Sequence, residues 1–324
     1  MLSQRRCVTG GNHSTHLSAI HHVNELVINW HVTEACNYHC QYCYSRWEEH
    51  PDSRELFHDS NRTFALLSEL FRFFRPENQG NPLKNRLGWP SVRLNLAGGE
   101  PSILGDKLIA ICRMAKAIGF KVSIISNGSR LSSDMIGQIA PNLSCLGVSI
   151  DSISFGTNER VGRSDRKGQQ LAIPELARTL RHARSNNPNL TLKLNTVVNR
   201  LNAEENLSGL IQLLRPDRWK IFRMLPVIGQ SLAISNEQFL AFINRHRSYS
   251  SIQCIEDHQD MLESYLMIDP HGRFFQNDVA LAGQGYSYSQ PILANGAEAA
   301  FSEMRFDATR FQARYRRSIV RGGS

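Results

Sequence analysis

From Glu25 to about Arg223 the chain repeats one pattern: a short strand-like run, a loop, then a stretch with helical spacing of apolar residues. The predicted strands are Leu26–Thr33, Ser91–Leu96, Phe120–Ile125, Cys145–Ile150, Leu190–Val198 and Trp219–Met224. The predicted helices include Thr63–Phe74, Asp106–Ile118, Pro174–Arg184 and Ala203–Leu214. Alternating strands and helices imply a parallel sheet, open or curled into a barrel. A parallel strand covered by helices on both faces is almost continuously apolar, and these strands are not. Asn29, His31 and Thr33 oppose Ile28, Trp30 and Val32; Arg93, Asn95 and Ala97 oppose Val92, Leu94 and Leu96. Ser149 and Asp151, Lys193 and Asn195, and Arg218 and Lys220 are likewise set against apolar neighbours. Side chains two apart point the same way, so the apolar faces belong against helices and the polar faces toward a shared lumen. A complete eight-stranded barrel fills its interior with branched apolar layers. A polar, lysine-bearing interior therefore predicts an α/β fold with a wider, incomplete barrel around a charged ligand.

The pattern stops after Gly229. Asn236–His246 reads as a helix with Ser235 as N-cap and Glu237 near capping-box spacing. Ser264–Phe275 reads as a hairpin about Pro270-His271-Gly272, and residues 280–297 as a loop. Residues 1–22 read as a flexible tail, 23–230 as the barrel, and 231–324 as an extension closing the pocket. Between 305 and 321 lie six arginines and one acid, Asp307, a basic tail that either is solvated or folds over an anion.

Charge sharpens this picture. Lysine and arginine outnumber aspartate and glutamate 37 to 29, which favours a polyanionic partner without saying which. No apolar run approaches the ~20 residues of a membrane span, and the first residues lack a secretory apolar block. The expectation is a soluble cytoplasmic protein. Three of the seven cysteines are crowded into eight residues, which points to metal or reactive thiols rather than disulfides. Cys36, Cys40 and Cys43 form a CxxxCxxC loop after the first strand. Three thiolates suit a four-iron cluster with one iron left open, or a zinc site completed by His31 or His39. Ala97-Gly98-Gly99-Glu100-Pro101 follows the second strand; two glycines allow close approach of a ligand, and Glu100 can accept from an ammonium group.

Together these motifs resemble the radical S-adenosylmethionine superfamily, and within it the viperin-like nucleotide dehydratases. The resemblance runs from about Asn29 to Arg314. It includes Asn29-Trp30-His31-Val32-Thr33, Ser126-Asn127-Gly128-Ser129, Ser149-Ile150-Asp151-Ser152, Gly162-Arg163 and Lys193-Leu194-Asn195. Farther on come Arg218-Trp219-Lys220-Ile221-Phe222, Glu263-Ser264-Tyr265-Leu266, and Phe306-Asp307 with Phe311 and Arg314. The resemblance implies a partial (β/α)6-type radical SAM barrel with a [4Fe–4S] cluster on Cys36, Cys40 and Cys43. S-adenosylmethionine would chelate the open iron, with Gly98, Gly99, Glu100, Ser126, Ser149 and Arg163 holding its methionine part and ribose. Its reductive cleavage gives a 5′-deoxyadenosyl radical. In the family this radical removes the 4′-hydrogen of a nucleoside triphosphate, water leaves from C3′, and a chain-terminating 3′-deoxy-3′,4′-didehydro nucleotide results. In a prokaryote such a product would act against phage.

The charges fit a triphosphate by an independent route. Lys193, Arg218 and Lys220 fall on inward faces, where unpaired buried cations are costly and a triphosphate supplies the counter-charge. Salt bridges to lumen carboxylates such as Asp151 are the other solution, but the inward positions read from the strands hold few acids. The family pattern adds Asn29, Asn95, Asn195 and Tyr265 to the pocket, and Arg314 as a tail arginine over the outer phosphate. CTP is the first expectation for substrate, with UTP or GTP next. Ala97 stands where animal relatives have serine, and Gly283–Gln290 lacks their basic segment. No amphipathic helix is read ahead of Asn24. The expected partners are the nucleotide and an electron donor such as flavodoxin or ferredoxin, without membrane or stable nucleic acid, for a monomer. The alternatives are a radical enzyme acting on RNA or a peptide, and a zinc-bound nucleic-acid-binding module, which leaves Gly98–Pro101 without a use.

Overall fold

The computed structural model describes residues 21–43, 52–226, 229–277 and 286–316. Six strands follow the predicted order: β1 Leu26–Thr33, β2 Val92–Gly98, β3 Lys121–Ser126, β4 Leu143–Ser149, β5 Thr191–Val198 and β6 Arg218–Arg223. The later chain adds β7 Gln253–Glu256, β8 Leu266–Ile268, β9 Arg273–Asn277 and β10 Tyr286–Pro291. All ten join one sheet in the order β10-β9-β8-β1-β2-β3-β4-β5-β6-β7. From β8 through β7 every pairing is parallel, while β9 and β10 run antiparallel to their neighbours. The extension thus supplies both ends of the parallel run, and the sheet stays unclosed.

The longer helices are α1 Ser60–Phe74, α2 Asp106–Ile118, α3 Ser133–Ile139, α4 Phe155–Val161, α5 Ile173–Asn186, α6 Ser208–Leu214 and α7 Asn236–Arg245, with α8 Ala308–Arg316 near the C-terminus; shorter ones of four to six residues lie between α7 and α8. Asp59 caps α1 by accepting from the Asn61 and Arg62 amides. Leu66, Leu67, Leu70, Phe73 and Phe74 of α1 and Leu108, Ile109, Ile111 and Cys112 of α2 pack on Ile28, Trp30, Leu94, Leu96 and Ile124. Each fully buried side chain of this kind contributes about 1.5–3 kcal/mol. The alternation therefore sorts as expected, apolar faces under the helices and polar faces inward. Among the described residues no helix is long and apolar enough to cross a membrane.

Several expectations need correction. Residues 286–295 are not loop: β10 pairs with β9, and a helix follows at Ile292–Asn295. Phe275 meets Tyr286 and Tyr288 at 5.3 and 5.9 Å, a cross-strand aromatic contact that outweighs the polar composition. The capping box of α7 uses Gln238 at N3, not Glu237. Helix α6 starts at Ser208 rather than Ala203, because Asn202 accepts from the Asn199 amide at 2.7 Å and donates to the Asp151 carbonyl at 2.8 Å. Such side-chain bonds hold the backbone in turns in place of helix. His21–His22 pair with Leu87–Gly88, so the presumed tail ends before them; its first twenty residues lie outside the described residues. Part of the basic tail is helical as α8, and 317–324 also lie outside.

Candidate active site

The cysteine loop leaves the C-terminal end of β1 and is held from three sides. Behind it, buried Glu55 accepts from Thr33 Oγ1 and from the Glu34 amide, both at 2.8 Å. Below it, the Gly99 and Glu100 amides donate to the Thr33 and Ala35 carbonyls at 2.8 Å. A Cβ at Gly99 would overlap the Ala35 carbonyl, and Gly98 has φ +124. The glycine pair thus admits the protein's own cysteine loop against β2, a close approach within the chain that its sequence did not reveal. On the third side the His39 amide donates to Gly162 O at 3.0 Å and the Gln41 amide to Val161 O at 2.9 Å, at the end of α4. The Cys43 amide bonds back to Cys40 O at 2.9 Å, making the turn that spaces the last two thiols.

Glu100 lies 1% exposed beneath this loop. It accepts from Ser102 N at 3.0 Å, Ser126 Oγ at 2.7 Å and Asn127 N at 2.5 Å. Burial pushes its pKa up, against the pull of these donors. Asn127 Nδ2 donates to Asn37 Oδ1 at 2.9 Å, so the turn after β3 is tied to the cysteine loop as well. In this structure Glu100 and Ser126 are therefore bonded to each other. Arg163 pairs with buried Asp151 at 3.0 Å and also donates to Tyr42 Oη at 3.0 Å and to the Ser149 carbonyl. Of the six residues expected at S-adenosylmethionine, Ser149 and Arg163 line the cavity, while Gly98, Gly99, Glu100 and Ser126 form the frame that shapes it.

The polar strand faces enclose two contiguous compartments of about 280 and 310 Å³, which share Asn29, Asn95, Lys193, Lys220 and Tyr265. Together they fall in the ~300–1,000 Å³ range of small-molecule sites. The upper compartment lies at the C-terminal strand ends, with Cys43, Tyr42, Arg163, Asp151, His31 and Asn195. Burial lowers the His31 pKa to about 4, so that ring is neutral at pH 7. The lower compartment, toward the strand N-termini, gathers Arg93, Lys121, Lys193, Arg218, Lys220 and Arg314 against Glu25 and Glu256. Between them runs a ladder: Ser123 Oγ donates to Asn95 Oδ1 at 2.7 Å, and Asn95 Nδ2 to Asn29 Oδ1 at 2.9 Å. Asn195 Oδ1 is buried with no hydrogen-bond partner among the described residues, a polar atom in need of one.

The structure thus brings all eight expected substrate residues to one chamber, but two charge assumptions change. Arg218 is exposed, so the burial argument applies only to Lys193 and Lys220. Lys220 is not alone either: its Nζ lies 2.7 Å from Glu256, an acid the sequence reading missed. Burial alone would raise Glu256, but Arg314 and then Lys220 hold it down to about 2. Burial draws Lys220 down to about 7 despite the carboxylate. Glu256 was legible in principle, since Cys254 and Glu256 share a face of a period-two run, but four residues are too few to stand out. Arg93 is paired too, with Glu25 at 2.9 Å.

Comparison with known proteins decides the family. Residues 30–191 match the model of the Radical SAM superfamily. The chain is 41% identical over 90% of its length, and 94% of the relative's, to the S-adenosylmethionine-dependent nucleotide dehydratase of Pseudoalteromonas ulvae. That of Psychrobacter lutiphocae is 40% identical over 91% of this chain and 96% of its own. The chain belongs to the S-adenosylmethionine-dependent nucleotide dehydratases. A vertebrate dehydratase, from Danio rerio, is 30% identical over 91% of this chain and 76% of its own. Among solved structures, anSMEcpe with bound AdoMet aligns at TM-score 0.61 and 11% identity, covering 90% of this chain and 83% of that one. SuiB of Streptococcus suis bound to S-adenosylmethionine aligns at 0.56 and 12%, covering 90% and 68%. At these identities the likeness shows a shared fold.

As a radical SAM nucleotide dehydratase, the enzyme uses S-adenosylmethionine and an iron–sulfur cluster, and acts on a nucleotide. The donor set fits that cluster. Three thiols stand on one loop, with Cys43 lining the cavity, and burial pushes Cys36 and Cys40 up to about 12, a cost that bonding to iron removes. Among the described residues no three His, Cys, Asp or Glu side chains are grouped to hold a single metal ion. A cluster makes no such demand, because its cysteines ligate different irons.

Proposed function

We propose that this dehydratase acts on a nucleoside triphosphate, CTP before UTP or GTP, and yields the 3′-deoxy-3′,4′-didehydro nucleotide. The observation that carries the reading is the continuity of the two compartments: a cationic chamber opens directly into the one bordered by Cys43, Tyr42 and Arg163. Cys36, Cys40 and Cys43 would hold the [4Fe–4S] cluster, and Ser149 and Arg163 would contact S-adenosylmethionine within the frame set by Gly98, Gly99, Glu100 and Ser126. When bound, these cofactors supply the one-electron chemistry that takes hydrogen from ribose. The chain's own residues do the rest. Lys193, Arg218, Lys220 and Arg314 neutralise the phosphates, since charge-assisted bonds to phosphate are the strong ones. Asn29, Asn95 and Tyr265 border both compartments and Asn195 lines the upper one, which supports a ribose lying at that level. The product lacks the 3′-hydroxyl that a polymerase extends, which supports a role as chain terminator in anti-phage defence. The working assembly would be a cytoplasmic monomer reduced by a flavodoxin or ferredoxin, with no membrane or nucleic-acid partner.

The test is anaerobic reconstitution followed by incubation with reductant, S-adenosylmethionine and each ribonucleoside triphosphate in turn. Mass spectrometry should find 5′-deoxyadenosine together with a nucleotide lighter by one water, most abundantly from CTP. Formation of 5′-deoxyadenosine with every triphosphate unaltered would reject this substrate class.

A further inference from the structure

Glu256 stands where the two ends of the parallel run face each other. It is the last residue of β7, at one end, and Tyr265 immediately precedes β8, at the other. Among the described residues no backbone ladder joins β7 to β8, and the Glu256 side chain spans the gap. Its Oε1 accepts from Lys220 Nζ at 2.7 Å and from Arg314 Nε at 3.1 Å, while its Oε2 accepts from the Tyr265 hydroxyl. Arg314 also donates from Nη1 to the Ser264 carbonyl at 2.6 Å, and its guanidinium lies 3.4 Å over the Tyr265 ring. Glu256 as a whole is only 5% exposed. One acid therefore fixes groups from β6, from the approach to β8 and from α8.

We propose that Glu256 is a positioning residue, presetting Lys220, Tyr265 and Arg314 for the phosphates of the nucleotide. The inference rests on the reading that the lower compartment takes those phosphates. Lysine has three donors; Nζ gives one to Glu256 and one to Tyr265 Oη at 3.1 Å, which leaves the third for a ligand. Long cationic side chains lose rotamer freedom when a ligand immobilises them, and here the protein has fixed them beforehand. A carboxylate beside a polyanion also repels it, so the two effects must be separated. Positioning needs an acceptor of the right shape, whereas repulsion needs only the charge. Glutamine keeps an oxygen for Lys220 and Arg314 but loses the charge; alanine loses both.

The experiment uses cluster-loaded enzyme with S-adenosylmethionine and compares CTP, UTP and GTP with their diphosphates. For Glu256→Ala the KM for the best triphosphate should rise tenfold or more with kcat within threefold, and the preference over the diphosphate should narrow. Glu256→Gln should recover most of the loss, and on an Arg314→Ala background Glu256→Ala should cost less than in the parent but still raise KM, because Lys220 and Tyr265 lose their anchor there too. A lower KM in both variants would overturn the proposal, showing the carboxylate to be a competitor of the phosphates. So would equal losses in alanine and glutamine, or a loss confined to kcat. Should the alanine variant not fold, Glu256→Asp, one methylene short of its three donors, carries the same expectation. Wild-type enzyme saturated by no triphosphate would remove the underlying reading, and this one with it, before any variant is compared.

Discussion

Lys193 offers a prediction with opposite signs in two assays. It projects from β5 into the lower compartment and takes part in no ion pair among the described residues. Burial lowers its pKa, the Cys145 thiol opposes that shift, and Arg93 reinforces it. The ammonium is thus held at a site that does not favour it until an anion arrives. Lys193→Met keeps the aliphatic stem and removes the charge. Without nucleotide the variant should be as stable as the parent or more so, by up to about 1 kcal/mol, because no partner is orphaned. In a chain of this size that raises Tm by at most about 2–4 °C. With nucleotide the sign reverses. A hydrogen bond to a charged group contributes about 1.5–3 kcal/mol, so triphosphate affinity should fall about 10- to 150-fold. Ligand at 100 times Kd stabilises the parent by about 2.7 kcal/mol, of which the variant should lose about 1.3–2.4 kcal/mol at the same concentration. Thermal unfolding of cluster-loaded enzyme with and without CTP, alongside calorimetric titration, reads both quantities. A lower Tm without nucleotide combined with an unchanged Kd would refute the reasoning, since Lys193 would then be a structural cation.

Two further outcomes follow from the geometry. Gly99→Ala places a methyl group on the Ala35 carbonyl and must push the cysteine loop off β2; iron and sulfide content after reconstitution should fall at least severalfold, and full loading would show that the loop tolerates the shift. The pH dependence of binding follows from Lys220, whose pKa lies at about 7 without nucleotide. A phosphate beside it favours the ammonium and raises that pKa, so the complex holds more protons than its parts, and affinity must decline as pH rises past 7. Calorimetry in buffers of differing ionisation enthalpy should detect proton uptake near pH 7.5 that Lys220→Arg abolishes; identical uptake in that variant would assign the proton elsewhere.

The parts of this enzyme legible in its sequence are those governed by local periodicity and by spacing within one loop. Period-two alternation assigned Asn29, Asn95, Lys193 and Lys220 to a lumen because a strand has only two faces, and the structure keeps that assignment. Helix α2 matches residue for residue because its apolar spacing and the glycines beside it, Gly105 and Gly119, are local signals. The three cysteines were likewise visible as one loop. What the sequence left undecided depends on contacts between distant segments. That Gly98-Gly99 accommodates the cysteine loop rests on β1 and β2 being neighbours, although paired residues such as Asn29 and Asn95 lie 66 positions apart in the chain. That Glu256 anchors Lys220, Tyr265 and Arg314 depends on β7 and β8 standing at opposite ends of the parallel run, and no short-range pattern encodes which ends face each other. Local sterics and alternation fix which way a side chain points, whereas the partner it meets is set by how the whole sheet twists and by what its helices bury.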